Sequence, residues 1–190
     1  LVDILRAEDT ETEWLEFKSN YLSNQNIGEY ISALSNGAAL KGRPFGYLIF
    51  GVDDKTHEVF GTNFDYRRQK QGNEDLENWL NRLTEPKIGF AIYNVQYAAA
   101  KHLVMFEIPA AFNQPTAFAG TEYIRIGSYR QDLRRYPETE KQLWYALNRV
   151  SYEQTISSEQ NLHFKEMTLI ARSRRIDFSE EKFATLRMLD

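Results

Sequence analysis

Two hydrophobic periods alternate along the chain, and the switches between them predict its elements. At 14–18, Leu15 and Phe17 fall on one face and Trp14, Glu16 and Lys18 on the other, the period of a half-buried strand. From Asn26 the period lengthens. Ile27, Tyr30, Ile31 and Leu34 recur at helical spacing, Asn26 and Glu29 are placed as a cap, and Gly37 and Gly42 bracket the end. Ser32, Ser35 and Asn36 lie off the apolar stripe. The run 46–52 is almost wholly apolar and predicts a central buried strand, closed by a turn at Asp53, Asp54, Lys55 and Thr56. A short strand is expected near Val59 and Phe60, and a second amphipathic helix over 74–85, with Leu76, Trp79, Leu80 and Leu83 inward and Pro86 as its stop. Segments 90–97 and 102–108 read as one hairpin, and 116–118 with 122–126 as another. Pro137 opens a helix to about Asn148 that turns Leu143, Trp144 and Leu147 inward.

This order predicts an α+β fold, a mixed sheet covered by helices. One domain is expected over 8–149. Residues 150–190 follow as a polar connector and a helical segment that could start a further domain. Since the chain begins at Leu1 without a methionine and stops at Asp190 within a helical pattern, it is expected to be part of a longer protein. No apolar run is long enough to span a membrane and no signal-peptide layout opens the chain, so a cytoplasmic location is expected.

Composition narrows the chemistry. With no cysteine, disulfides, thiol nucleophiles and cysteine-ligated metals are excluded. No Gly-x-x-x-x-Gly-Lys-Ser/Thr or Gly-x-Gly-x-x-Gly element supports nucleotide binding, and His57, His102 and His163 have no metal-ligand spacing. The net charge of −4 is unevenly spread: residues 1–20 hold six acids and two bases, and the remainder is balanced. A cationic and aromatic segment stands out, with Arg125, Arg130, Arg134 and Arg135 interleaved with Tyr123, Tyr129 and Tyr136. Guanidinium forks match phosphates, and aromatic faces stack on bases. Residues Arg67, Arg68 and Lys70 could extend the same surface. The carboxylates Glu11, Glu16, Asp53 and Asp54, with Lys18 nearby, are candidates to hold Mg²⁺ or Mn²⁺ against a phosphodiester. The bland readings are a solvated strand face for Glu16 and Lys18, a plain turn for the aspartates, and internal salt bridges for the arginines.

Five motifs occur in order: Glu11-x-x-x-Leu15-Glu16-Phe17-Lys18; Ile31-Ser-Ala-Leu-Ser-Asn36-Gly37; Tyr47-Leu-Ile-Phe-Gly51-Val52-Asp53-Asp54; Val59-Phe60-Gly61; and Tyr123-Ile-Arg125-Ile-Gly127-Ser128. Together they resemble the Schlafen AlbA_2 family of DNA-binding domains over about residues 8–149. The resemblance implies a nucleic-acid-associated module, in bacteria the N-terminal part of transcriptional regulators, ATP-binding proteins or helicase-related proteins. In animal Schlafens the related fold is an RNA endonuclease. Its two glutamates match Glu11 and Glu16 here, and its aspartate matches Asp53 or Asp54. One departure is the loop after Asn36, which lacks the family's adjacent glycine pair and is longer. Another is that Schlafen nucleases build their groove from two pseudo-symmetric lobes, and this chain has one, so cleavage would need a dimer or further segments.

The expected function is therefore nucleic-acid binding, DNA before RNA, through Lys18, Arg125, Arg130, Arg134, Arg135 and Tyr129, within a larger regulatory protein that could be a homo-oligomer. The alternatives are a Mg²⁺- or Mn²⁺-dependent endonuclease using Glu11, Glu16 and Asp53 or Asp54, with Glu11, Glu16 and Asp53 as metal ligands, and a protein-interaction or dimerisation module. The last is favoured if the arginines pair with the acids of the helices at 74–85 and 138–141.

Overall fold

A computed structural model describes residues 1–7, 12–98, 101–127 and 129–148. Glu11 and the segment from 150 onward, with its predicted connector and helix, lie outside the described residues. In chain order the elements are α1 (Val2–Arg6), β1 (Leu15–Lys18), α2 (Asn24–Leu40), β2 (Phe45–Phe50), β3 (Lys70–Gln71), β4 (Glu74–Asp75), α3 (Leu76–Leu83), β5 (Thr84–Glu85), β6 (Ala91–Tyr97), β7 (Lys101–Pro109), β8 (Ala117–Phe118), β9 (Thr121–Ile126) and β10 (Tyr129–Asp132). A last helix, α4, covers 137–148. None of the described helices is long and apolar enough to cross a membrane.

The fold is α+β, and its strands divide into two four-stranded sheets plus the small β3–β4 pair. The first sheet runs β1-β2-β7-β6, with β1 parallel to β2 and the other pairs antiparallel. Its central strand is the apolar run foreseen from the sequence. The second sheet, β10-β9-β8-β5, is antiparallel throughout. Both predicted hairpins form, as β6–β7 and β8–β9. Strand β10 was not foreseen, because Tyr-Arg-Gln-Asp offers no apolar alternation; it is held by its register on β9, with Arg130 opposite Arg125.

The α2 helix lies between the sheets, and this decides what is buried. On one side it packs Ile27, Ile31 and Leu34 with Leu48, Phe50, Val104 and Phe106 of the first sheet. On the other it meets β8 and β9 so closely that a Cβ on Gly28 would lie 2.1 Å from the Phe118 ring. The α1 residues Val2 and Leu5 share a core with Leu15, Phe17, Ile49 and Met105 on the far face of the first sheet, and α4 packs Leu143 and Leu147 against Ile124 and Leu133 of the second sheet and its exit turn. Strand β1 is thus buried on both faces, not half-buried: Leu15 and Phe17 are fully enclosed and Glu16 is 1% exposed. Trp144, expected inward, is 38% exposed and stands outside this cluster.

Helix α2 begins earlier and ends later than its periodicity suggests. The Ser23 hydroxyl, not Asn26, caps it by accepting the Asn26 N–H at 3.2 Å, and the helix runs through Gly37 to Leu40. Gly37 serves close approach instead of termination, since a Cβ there would lie 1.9 Å from the Glu13 carbonyl oxygen. The polar row that the apolar stripe left aside is fully buried as well. Ser32 Oγ donates to the Thr116 carbonyl (2.7 Å) and accepts the Tyr123 N–H (2.9 Å). Asn36 Nδ2 donates to the carbonyls of Thr116 (2.9 Å) and Tyr123 (2.8 Å), while its Oδ1 accepts the Thr116 N–H (2.7 Å). Ser35 Oγ bonds the Pro109 carbonyl and the Thr116 hydroxyl, both at 2.8 Å. Side chains of the helix thereby satisfy backbone groups around β8 and β9 that would otherwise be buried without partners, a penalty of about 1–3 kcal/mol each.

Candidate nucleic-acid interface

Strand β1 turns Glu16 and Lys18 onto the face beneath α2, and β9 brings Arg125 to the same place. The Arg125 guanidinium is enclosed: Nη2 meets Glu16 Oε2 at 2.7 Å, and Nη1 donates to the carbonyls of Leu15 (2.6 Å) and Thr12. The other Glu16 oxygen pairs with Lys18 Nζ and accepts the Tyr30 hydroxyl at 3.0 Å. Burial and then the negative Glu16 hold the Tyr30 phenol above the usual tyrosine range. Arg125, 1% exposed, is therefore a structural cation that a phosphate would reach only by displacing these partners, which corrects its expected place on the phosphate-binding face.

Among the described residues the expected metal ligands do not gather. Glu11 lies outside the described residues, Glu16 is neutralised by Arg125 and Lys18, and Asp53 lies beyond Gly51, past the end of β2. Asp53 Oδ1 is taken up locally by the N–H groups of Lys55 (3.0 Å) and Thr56 (2.8 Å) and by the Thr56 hydroxyl (3.1 Å). Asp54 is exposed beside it. Among the described residues no group of three His, Asp or Glu side chains could hold a metal ion. Among the described residues the groups around Glu16 are cationic and bring no second carboxylate for Mg²⁺ or Mn²⁺. The turn N–H groups of Thr56 and Lys55 hold the Asp53 carboxyl below the usual aspartate range. Because its folded pKa is depressed, Asp53 adds stability above the ordinary aspartate pKa, and this is lost as pH falls through the folded value. A carboxyl-carbon NMR titration should place its midpoint below that of an unstructured aspartate, and Thr56→Ala should move it up.

The N-terminal end of α2 collects cations from three directions. From β10, Arg130 donates through Nε to Glu29 Oε2 (2.7 Å) and through Nη2 to Asn26 Oδ1 (2.9 Å), and its guanidinium lies 4.5 Å from the centre of the Tyr30 ring. From β1, Lys18 Nζ lies 5.6 Å from the same ring. From the segment before α3, Lys70 and Gln71 accept both Nδ2 bonds of Asn24 at 3.0 Å, the first through its carbonyl and the second through its side-chain oxygen. The adjoining turn Tyr66–Arg68 carries Arg67 and Arg68, both exposed. The Tyr21 hydroxyl donates to Asn24 Oδ1 at 2.8 Å, leaving its ring partly exposed, and Tyr129 beside Arg130 is 73% exposed. Glu29, Asp65 and Asp75 temper this charge, by pairing with Arg130, Arg68 and Lys70. The dipole of the helix start adds positive potential.

Arg134 and Arg135 follow β10 in an exposed turn, where Arg134 Nη2 reaches the Gly120 carbonyl at 3.4 Å and Nε lies 3.9 Å from Asp132 Oδ1. Among the described residues Arg125, Arg130 and Arg134 pair with Glu16, Glu29 and Asp132, and no ion pair joins them to the acids of 74–85 or 138–141 named for the interaction module. Asn24 and Tyr21 were not singled out from the sequence, and Asn26 was read only as a cap. Their signal was the polar Asn-x-x-x-Asn-Gln-Asn stretch that leads into α2.

The family model described as Schlafen, AlbA_2 matches residues 11–134. No curated protein matches the chain. Among solved structures, the DIP2311 protein from Corynebacterium diphtheriae is similar, with 17% identity and a TM-score of 0.40. The match covers 68% of this chain and 25% of that one, so the chain spans about a quarter of the length of that protein.

Proposed function

Because the chain belongs to the Schlafen AlbA_2 family, a family of nucleic-acid-binding domains, we propose that it binds nucleic acid at the basic end of α2. Phosphates are held by Arg67, Arg68, Lys70, Lys18 and Arg130, and Arg134 and Arg135 extend the track along the second sheet. Tyr129 and Tyr21 supply exposed rings for bases or sugars. The observation that supports this reading is the convergence of β10 and the 66–71 segment on one helix start, through Asn26 and Glu29 on one side and Asn24 on the other. In our reading DNA is the first substrate to test and the chain is a module of a larger transcriptional-regulator or helicase-related protein.

A phosphate-led interface releases counterions, so log affinity should fall linearly with log salt. Fluorescence anisotropy with labelled duplex and single strands, from about 50 to 200 mM salt, tests this. Replacing Arg67, Arg68 and Lys70 with alanine should weaken binding to all sequences alike and flatten the slope by about 0.7–0.9 per phosphate contact removed. Absent binding at the lowest salt, or a slope unchanged in the triple variant, overturns the proposal.

A further inference from the structure

The segment that carries Arg67 also walls an open cleft of about 430 Å³, lined by Thr62, Asn63, Phe64, Asp65, Arg67, Asn94 and His102. Its floor is rigid. The Thr62 N–H donates to the His102 carbonyl (2.8 Å), the Thr62 hydroxyl meets Asn20 Oδ1 (3.3 Å), and Phe64, 2% exposed, packs between Phe50 (4.8 Å between centroids) and Tyr21 (5.2 Å). Through Asn20 and Tyr21 the cleft adjoins the basic end of α2. Asn94 on β6 and His102 on β7 project from the same sheet face, since His102 is opposite Gln96, two residues from Asn94.

Three polar side chains of the lining are uncommitted. The side chains of Asn63, Asn94 and His102 make no hydrogen bond within the described residues, although the fold around them is tightly bonded. Two carboxamides, each with donor and acceptor, and an imidazole match the edge of an unpaired base, which presents both kinds of group. Asp65 on the rim can accept from a base amino group, and the exposed Arg67 stands where the attached phosphate would lie. The volume falls within the range of small-ligand sites and is sufficient for one nucleotide.

We infer that this cleft accepts one unstacked nucleotide of a bound single strand, its base on Asn63, Asn94 and His102 and its phosphate on Arg67. This rests on the nucleic-acid reading above and sharpens its substrate: strands with free bases are preferred over continuous duplex, whose base edges are paired and stacked.

The test compares the full chain with its Asn63→Ala, Asn94→Ala double variant, on a short single-stranded oligonucleotide and on a blunt duplex. Both positions are exposed, so the thermal midpoint should be unchanged. Single-strand affinity should drop on the order of tenfold, as expected for two lost hydrogen-bonding side chains, with duplex affinity unaltered. The His102 ring NMR signals should shift with the single strand and not with the duplex. Equal affinity of the two proteins for the single strand, or equal loss on both substrates, overturns the cleft while leaving the basic interface standing. A wild-type chain that binds neither substrate overturns both.

Discussion

Arg125→Ala is expected to lower the unfolding free energy by about 3–5 kcal/mol, which is most of the stability of a marginal domain. The loss comes from three places at once. Glu16, 1% exposed, keeps Lys18 and the Tyr30 hydroxyl on one oxygen but is left with a buried, unpaired second oxygen. The carbonyls of Thr12 and Leu15 lose their donor, and the volume of the largest enclosed side chain is emptied. Pairing the change with one at its partner separates charge from shape. Arg125→Met with Glu16→Leu should recover part of the deficit: the buried Arg–Glu pair is replaced as a unit by apolar groups of similar size, while Lys18 and the Tyr30 hydroxyl lose their Glu16 partner. Urea titrations of the two single variants and the double variant measure this directly. A single variant within about 1 kcal/mol of wild type would show that the pair contributes no more than an exposed one. The result also governs how binding data are interpreted: loss of nucleic-acid affinity in Arg125→Ala would report the fold, whereas loss in Arg67→Ala would report the surface.

Gly37→Ala should be destabilising by about 3 kcal/mol or more, although helix propensity alone favours alanine by about 1 kcal/mol. Sign is the informative quantity. The new Cβ would meet the Glu13 carbonyl oxygen at 1.9 Å and its carbon at 2.6 Å, and backbone cannot rotate away as a side-chain tip can. Either the lead-in to β1 moves, disturbing the Tyr47 N–H bond to the Trp14 carbonyl (2.8 Å), or the end of α2 moves and stretches the Lys41–Glu13 pair (2.9 Å). Thermal or urea unfolding checks it, and a stabilised variant would mean that the helix and the lead-in are not in contact.

How much of this was legible beforehand depends on the separation of the partners in sequence. The apolar run at 46–52, the two hairpins and the α4 stripe are local patterns and emerge as β2, β6–β7, β8–β9 and α4. The environment of α2 could have been suspected from its composition. From Asn24 to Leu40 the only charge is Glu29, which suits a helix covered on every side better than an amphipathic one. Ser32, Ser35 and Asn36 nevertheless read only as positions off the apolar stripe, since the backbone groups they satisfy lie about 75 to 90 residues away. Glu16 and Arg125 misled for the same reason. Alternation in β1 and β9 sets which face each residue takes, but not that a buried helix covers that face. The five-motif order was more informative than any one motif, and the family match over 11–134 agrees with it.

The position of α2 also sets an order of events during synthesis. The helix leaves the ribosome early, yet the strands that satisfy its Ser32 and Asn36 row arrive only with residues 116–123. Until then one side of the helix has no lasting partner, and the first sheet is itself completed only when β7 arrives with residues 101–109. The nascent chain therefore has no stopping point between residues 24 and 123 at which both sides of α2 are covered. Any boundary drawn for truncation, insertion or grafting has to respect that whole interval.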